Sequence, residues 1–264
     1  MKLLRILAFP VSVIYGLVVF LYHLFYDLEI FQPKRFRVPV ISIGNLTVGG
    51  TGKTTHIEYV TRFLLGSGDI ALDRIASLSR GYGRATSGFL LADENSTAVE
   101  VGDEPRQIKQ KFPNVFVAVD ENRVHGIEKL LRTVPGLKVI LLDDAFQHRR
   151  VKPGLSILLM DFQSVSKTQL MLPTGNLRES LSGAKRADII IVTNSPKMLS
   201  PHERKRINKI LNPKPHQTLY FSYVGYNDFV PVSNIPKHIM ANKNFYFERK
   251  YAVLLVTGIA DPLP

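Results

Sequence analysis

Short apolar runs alternate with amphipathic stretches along most of the chain. Eight runs have the length and composition of β-strands: Val40–Ile43, Ile75–Leu78, Val115–Val119, Val139–Leu142, Ile157–Met160, Ile189–Val192, Thr218–Val224 and Val253–Val256. Several are apolar at every position, as expected of strands that helices cover on both faces. Between them, His56–Leu65 and Arg123–Arg132 carry their apolar residues on one helical face. The alternation predicts an α/β fold with a doubly wound, mainly parallel sheet.

The first 37 residues depart from this pattern. Ile6–Tyr26 is apolar almost throughout, and its length matches the roughly 20 helical residues that cross a ~30 Å hydrocarbon core. Basic residues on both flanks suit contact with anionic headgroups. A cleaved signal peptide and a buried core helix are the alternatives, but Tyr22–Tyr26 has no small residues of a cleavage site. The segment is predicted to be a hydrophobic membrane helix, either spanning the bilayer or lying in its interface.

The amino-acid composition limits the classes of partner that the protein is expected to bind. The 264 residues carry a formal net charge of +12, which indicates a polyanionic partner, either nucleic acid or an anionic membrane surface. The apolar segment favours the membrane, and no groove-reading motif accompanies the basic surplus, so no nucleic-acid partner is expected. The sequence identifies no protein partner. The absence of cysteine excludes disulfides, zinc–thiolate sites and thiol nucleophiles.

A glycine-rich loop follows the first strand and leads into an amphipathic stretch. Its glycines allow backbone N–H groups to turn toward phosphate oxygens at the start of a helix. Lys53 is placed to bridge the β- and γ-phosphates, and the Thr54 hydroxyl to ligate Mg²⁺. Thr47 stands where the pattern G-x-x-x-x-G-K-[ST] has its first glycine. We therefore predict a P-loop NTPase-type site for ATP and Mg²⁺ formed by Thr47, Val48, Gly49, Gly50, Thr51, Gly52, Lys53, Thr54 and Thr55.

Three further clusters lie at predicted strand ends. Asp143 and Asp144 end an apolar run, where one of them is expected to hold Mg²⁺; the alternative is that Asp144 caps the next turn or helix. Gly102–Pro105 places two carboxylates at a predicted helix start, where spacing favours helix capping over orientation of an acceptor hydroxyl. Ser79–Arg84 combines two arginines, a tyrosine and two glycines.

The order and spacing of six motifs resemble the tetraacyldisaccharide 4′-kinase family of lipid A biosynthesis. The motifs are Gly44–Thr54, Ser79–Gly83, Gly102–Pro105, Asp143–Arg149, Leu172–Glu179 and Val256–Ala260. The resemblance covers essentially the whole chain. It implies an enzyme at the cytoplasmic face of the inner membrane that phosphorylates the 4′-hydroxyl of a tetraacylated glucosamine disaccharide 1-phosphate, its lipid substrate.

The resemblance also implies roles for individual residues. Lys53 and Arg178 are expected to neutralise charge on the transferred phosphoryl group, and Asp103 to be the catalytic carboxylate that assists the attacking hydroxyl. The implied Mg²⁺ residues are Thr54, Asp143, Asp144 and Glu179. The implied nucleotide- or sugar-binding residues are Arg80, Tyr82, Glu104, Arg123, Gln147 and His148. Thr55, Ala145 and Ser180 depart from the proline, glycine and proline usual in the family, which affects local geometry only.

The predicted layout has three parts: a membrane anchor over residues 1–37, a P-loop kinase core over 38–211, and a smaller C-terminal lobe over 212–264. The lobe is expected to be truncated, since the family continues well past Val256–Ala260.

Two other classes compete with a kinase. Regulatory ATPases of the partitioning type share a Gly-Gly-x-Gly-Lys-Thr loop and bind membranes, but they carry a signature lysine where this chain has Val48. GTPases need an Asn-Lys-x-Asp guanine reader after a late strand, and Thr193–Lys197 lacks the aspartate. The partitioning-type ATPase is the stronger alternative.

Overall fold

The computed structural model describes residues 7–66, 74–167 and 169–225. The predicted strand Val253–Val256, the motif Val256–Ala260 and most of the predicted C-terminal lobe lie outside these ranges. Eight strands form one sheet: β1 Val40–Asn45, β2 Ile75–Ser79, β3 Leu90–Ala92, β4 Phe116–Val119, β5 Val139–Asp143, β6 Leu155–Asp161, β7 Ile189–Thr193 and β8 Thr218–Phe221. Seven of them correspond to the runs predicted from sequence.

Helices connect the strands. They are α1 Phe9–Asp27, α2 Lys53–Gly66, α3 Ala98–Val101, α4 Asp103–Lys111, α5 Arg123–Thr133, α6 Phe162–Val165 and α7 Pro201–Leu211, with a 3₁₀-helix at Leu181–Arg186. Local sequence explains several of their starts. Asn122 and Ser200 cap α5 and α7 through their side-chain oxygens, and Pro201 occupies the first turn of α7, where its missing N–H costs nothing.

The strand order is β3-β4-β2-β5-β1-β6-β7-β8, and every pair is parallel except β3 with β4. This confirms the predicted doubly wound, mainly parallel sheet. The P-loop strand β1 lies between β5 and β6, and Ile43 pairs with Asp143. The ends of β1 and β5 therefore meet at one edge of the sheet, where open α/β folds place their ligands.

Both faces of the sheet are buried. On one face Ile43, Leu141 and Ile157 pack with Ile57 of α2. On the other face Val40, Ile140 and Leu142 pack with Ile127 and Leu130 of α5. Alternate residues of one strand thus enter different clusters, which explains why the runs are apolar at every position. Each such burial stabilises the fold by about 1.5–3 kcal/mol.

The predicted boundary at residue 212 directly follows the end of α7. β8 pairs in parallel with β7 from Thr218 to Phe221, so these residues extend the sheet of the core. The prolines and aromatic residues after position 212 are the basis of the predicted C-terminal lobe, most of which lies outside the described residues.

α1 is the one helix in the described ranges that is long and apolar enough to cross a membrane. Only 11% of its most apolar window is buried, which argues against a core helix of a soluble protein. Its exposed apolar side chains include Val11, Ile14, Leu17, Val18, Phe20, Leu21 and Phe25. Its other face contacts the domain, as described below.

Candidate active site

The phosphate loop connects β1 to α2 and contains hydrogen bonds between its own residues. Asn45, the last residue of β1, donates from Nδ2 to Oγ1 of buried Thr51 at 2.7 Å. Gly52 has φ +74°, a conformation that favours glycine, and α2 begins at the next residue, Lys53. The first N–H groups of α2 have no helical partner, so they are available to phosphate oxygens at the positive end of the helix dipole.

Residues 171–179 lie beside this loop and explain the unusual Thr47. Thr47 forms an isolated antiparallel bridge with Leu177. On either side of it, the N–H of Val48 donates to the Asn176 carbonyl and the N–H of Arg178 to the Leu46 carbonyl, each at 2.8 Å. β-Branched residues are common in paired, extended segments, so a threonine fits at position 47, where the usual pattern has glycine.

Two cations converge on Asp144. Nη1 of Arg178 lies 2.8 Å from both carboxylate oxygens, and Nζ of Lys53 lies 3.8 Å from Oδ1. Asp144 has φ +48° and follows β5 directly, in a turn and not at the start of a helix. The structure therefore brings together two residues predicted to act on the transferred phosphate and one predicted to hold Mg²⁺.

Asp143 is buried beside this cluster. Its Oδ1 has no hydrogen-bond partner among the described residues. Burial raises its pKa to about 7, with further contributions from the negative charges of Glu104 and Asp144. Glu104 in turn accepts from the Thr54 hydroxyl at 3.1 Å. The positive charges of Lys53 and Arg123 act in the opposite direction and do not cancel the effect of burial. A buried carboxylate oxygen without a hydrogen-bond partner, next to two further carboxylates, is a position where a cation is favourable.

The donor set fits Mg²⁺. This ion commonly takes one or two protein carboxylates and fills its remaining positions with water and phosphate oxygens. Asp143 and Asp144 supply two carboxylates, and Thr54 supplies a hydroxyl, at one edge of the sheet. No cluster of three or more His, Asp or Glu side chains that could hold a metal occurs within residues 7–66, 74–167 and 169–225, so the protein alone does not form a complete cage there.

Glu179 occupies a different environment from the one expected of a metal ligand. It is 1% exposed, and its oxygens contact Nε2 of His23 at 3.1 Å, Nη2 of Arg186 at 2.7 Å and Nε2 of Gln147 at 2.9 Å. Burial alone would raise its pKa, but the hydrogen bond from His23 and the charge of Arg186 outweigh burial and lower it. These contacts favour a structural role over direct metal ligation.

The two carboxylates at the start of α4 are not helix caps. Gly102 occupies the N-cap position with φ +93°, and Asp103 and Glu104 fill the first turn. A Cβ on Gly102 would lie 3.0 Å from the Tyr82 carbonyl, so glycine allows the Ser79–Arg84 segment to approach α4. The side chain of Asp103 is exposed and has no hydrogen-bond partner in the part of the chain that the structure describes. The capping interpretation favoured by spacing is therefore wrong.

Arg123, His148 and Tyr82 differ in accessibility. Arg123 is buried, and its guanidinium donates to the carbonyls of Asp120 at 2.7 Å and Asp143 at 3.1 Å. Burial lowers its pKa to about 10, which still leaves it charged at neutral pH. Burial and the nearby charge of Arg123 lower the pKa of His148 to about 4, so this imidazole is neutral. Tyr82 is 90% exposed and available to a ligand.

Sequence reasoning missed the residues that α1 contributes. Ser12, Tyr15 and His23 all contact residues 174–179. A signal was present in the apolar segment: Ser12, Gly16, His23 and Asp27 follow a spacing that places them on one helical face. A polar or small stripe on an otherwise apolar helix indicates a face that contacts protein.

The chain matches known proteins along its length. Residues 4–264 match a family model described as tetraacyldisaccharide-1-P 4′-kinase. Proteins named tetraacyldisaccharide 4′-kinase from Bacteroides thetaiotaomicron and Flavobacterium johnsoniae are each 46% identical. The two matches cover 97% and 100% of this chain and 67% and 74% of the relatives.

A solved structure resembles the fold. The crystal structure of the "apo" form of LpxK from Aquifex aeolicus in complex with ATP superimposes with a TM-score of 0.65 and 28% sequence identity, covering 88% of this chain and 86% of that one. A match of this extent shows that the two chains share their overall fold. The chain therefore belongs to the tetraacyldisaccharide-1-phosphate 4′-kinase family.

Proposed function

We propose that this protein transfers the γ-phosphate of ATP to the 4′-hydroxyl of a tetraacylated glucosamine disaccharide 1-phosphate. Membership of the family and the names of its relatives support this reaction. The main structural support for this reaction is that Lys53 and Arg178 both contact Asp144, beside the phosphate loop. A phosphoryl-transfer site needs cations at this place, because charge is spread over the oxygens of the transferred group.

Lys53 and Arg178 stabilise the transition state in this proposal. Asp144 holds both cations at the mouth of the phosphate loop before any nucleotide arrives. Positive groups that are fixed in advance need little reorganisation when charge develops on the γ-phosphate. The backbone N–H groups of the loop and of the first turn of α2 orient the phosphates for in-line attack.

The carboxylates beside the phosphate loop would bind the metal ion. Thr54, Asp143 and Asp144 would hold Mg²⁺, which supplies charge neutralisation on the phosphate oxygens when it is bound. Glu104 lies beside Thr54 and fixes the direction of its hydroxyl. Glu179 holds Gln147 and Arg186 in place from behind the site.

Asp103 accepts the proton of the acceptor. The 4′-hydroxyl oxygen forms a bond to the γ-phosphorus, the bond from that phosphorus to the bridging oxygen of ADP breaks, and the hydroxyl proton passes to Asp103. An exposed carboxylate at the first turn of α4, without a protein partner among the described residues, is free to contact an incoming sugar. Arg80 and Tyr82 lie on the neighbouring loop and are also exposed.

The acceptor places the reaction at a membrane. A disaccharide with four acyl chains stays in the bilayer, and the exposed apolar side chains of α1 would enter the same interface. Polar contacts to the domain run from Ser12 to Asp27, which supports a helix lying along the membrane surface over one crossing it. ATP is cytoplasmic, so we assign the enzyme to the cytoplasmic face of the inner membrane.

An assay with and without acceptor tests the proposal. Purified protein with [γ-³²P]ATP and Mg²⁺ is expected to label a tetraacyldisaccharide 1-phosphate and to hydrolyse little ATP when the acceptor is absent. A regulatory ATPase of the partitioning type would instead turn over without the lipid. Rapid hydrolysis without labelling of the lipid would reject the kinase assignment.

A further inference from the structure

One face of α1 is fixed to residues 171–179 by three polar side chains. Oγ of Ser12 donates to Oγ1 of Thr174 at 2.8 Å and accepts from the Thr174 N–H at 2.9 Å. The Tyr15 hydroxyl donates to the backbone carbonyl of Arg178 at 2.9 Å. Nε2 of His23 lies 3.1 Å from Oε2 of Glu179. The contacts from Ser12 to His23 span about three turns of the helix, so α1 has one defined position on the domain.

The same segment carries Arg178 into the active site. Its guanidinium contacts Asp144, and its N–H donates to the carbonyl of Leu46, immediately before the phosphate loop. Glu179 reaches that loop by a second route, because Gln147 donates both to Glu179 and to the Asn45 carbonyl. One hydrogen bond therefore joins α1 to Arg178, and a second chain of contacts joins α1 through Glu179 and Gln147 to Asn45, next to the phosphate loop.

The opposite face of α1 is apolar and exposed, with Leu17 at 57% and Val18 at 60%. The helix thus contacts the catalytic segment on one side and presents a lipid-facing surface on the other. A helix that only attached the enzyme to a membrane would not need hydrogen bonds to the backbone of a catalytic arginine.

We propose that α1 is a positioning element for Arg178, and that Tyr15 and His23 set the rate of phosphoryl transfer in addition to any role of the helix in membrane attachment. This inference rests on the proposed kinase function. Its physical basis is that a cation acting on a transition state must be held to within a fraction of an ångström, since a misplacement of about 1 Å can cost about 10²-fold in rate. The Tyr15 hydroxyl and the His23 imidazole supply that restraint from outside the sheet.

A simple anchor and a positioning element predict different kinetics. If α1 only attaches the enzyme, changes on its polar face alter the KM for lipid or nothing at all. If α1 positions Arg178, they lower kcat while the KM for lipid, the affinity for ATP and the binding to vesicles stay close to wild type.

The test uses the full chain in detergent micelles. Tyr15→Phe removes only the hydroxyl, and His23→Leu removes the imidazole, whereas His23→Gln keeps an N–H near the position of Nε2. Tyr59→Phe and His202→Leu on exposed faces of α2 and α7 are matched controls. We expect kcat to fall about tenfold in the first two variants, equivalent to about 1.4 kcal/mol, to recover in His23→Gln, and to stay unchanged in the controls.

Hydrogen exchange supplies a second measurement that does not depend on turnover. Amides within residues 171–179 are expected to exchange faster in Tyr15→Phe and His23→Leu than in wild type, and no faster in the controls. Unchanged exchange, or a kcat loss that His23→Gln does not restore, overturns the inference. If the wild-type protein transfers no phosphate to the lipid, the proposed function is rejected, and faster exchange in the two variants would then show only that α1 orders residues 171–179.

Discussion

Nη1 of Arg178 lies 2.8 Å from both carboxylate oxygens of Asp144. The two residues come from distant parts of the sequence, one after β5 and the other before the 3₁₀-helix, and they meet only because residues 171–179 pair with the phosphate loop. With Lys53 on the same carboxylate, the contact fixes two cations where the γ-phosphate would lie.

Removing either cation should reduce turnover without unfolding the protein. Lys53→Ala and Arg178→Ala are each expected to lower kcat by about 10²–10³-fold, or about 3–4 kcal/mol at the transition state, because each removes a fixed charge from the transferred group. Steady-state kinetics and thermal denaturation measure the two effects. Lys205→Ala on exposed α7 is the matched control. A folded Lys53→Ala protein with near-normal kcat contradicts the P-loop assignment.

Asp103→Asn separates catalysis from helix stability. Since Gly102 is the N-cap, the substitution should cost only the favourable interaction of the carboxylate with the helix dipole, about 0.3–1 kcal/mol. We expect kcat to fall by about 10²–10⁴-fold with little change in ATP affinity, because a general base is lost. Single-turnover kinetics beside melting curves gives both values, with Glu94→Gln as the exposed control. A change in Tm alone would reject the catalytic role.

Asp143 makes stability depend on pH. Its pKa is raised from 3.8 to about 7 by burial, so between these values the folded protein holds a proton that the unfolded chain has released. The free energy of unfolding should therefore decrease as pH rises through this window. In Asp143→Asn this decrease should disappear, as measured by Tm in Mg²⁺-free buffers from about pH 4 to about pH 8.

Two further observations test the same site. Mg²⁺ with ATP should raise Tm at about pH 8 in wild type more than in Asp143→Asn, since the bound cation compensates the buried charge. Glu94→Gln should leave the pH dependence intact. An unchanged pH dependence in Asp143→Asn would show that another group is responsible.

The apolar face of α1 should govern membrane binding. The double variant Leu17→Ser, Val18→Ser replaces two exposed apolar side chains, each contributing up to about 1.5–3 kcal/mol when buried in lipid. Co-sedimentation with vesicles of anionic phospholipid should weaken by at least about tenfold. Val99→Ser, a similarly exposed valine on α3, should bind vesicles like wild type. Equal binding by all three proteins would show that the basic surface, and not the apolar face of α1, attaches the protein to the membrane.

The sequence predicts those features that depend on local pattern. Continuous apolar runs identified seven strands, and the glycines with Lys53 identified the phosphate loop, because each is encoded within a few neighbouring residues. β3 was missed because a strand of three residues has no periodicity to detect.

Features that depend on tertiary contacts were harder to predict. Glu179 was expected to be a metal ligand, yet its environment is set by His23, Gln147 and Arg186, which are distant in sequence or hidden in an apolar helix. Likewise, the sequence identifies α1 only as an apolar helix. Its contact with residues 171–179, which the proposed positioning of Arg178 depends on, is visible only in the structure.

Transfer of ³²P from ATP to a tetraacyldisaccharide 1-phosphate, compared between wild type and Arg178→Ala, measures whether the cations at Asp144 act on the γ-phosphate. We expect labelled lipid with wild type, labelling reduced by about 10²-fold or more with Arg178→Ala, and little ATP hydrolysis by either protein without the acceptor. Equal labelling by the two proteins would contradict a role of Arg178 in phosphoryl transfer, and no labelling by the wild type would contradict the kinase function.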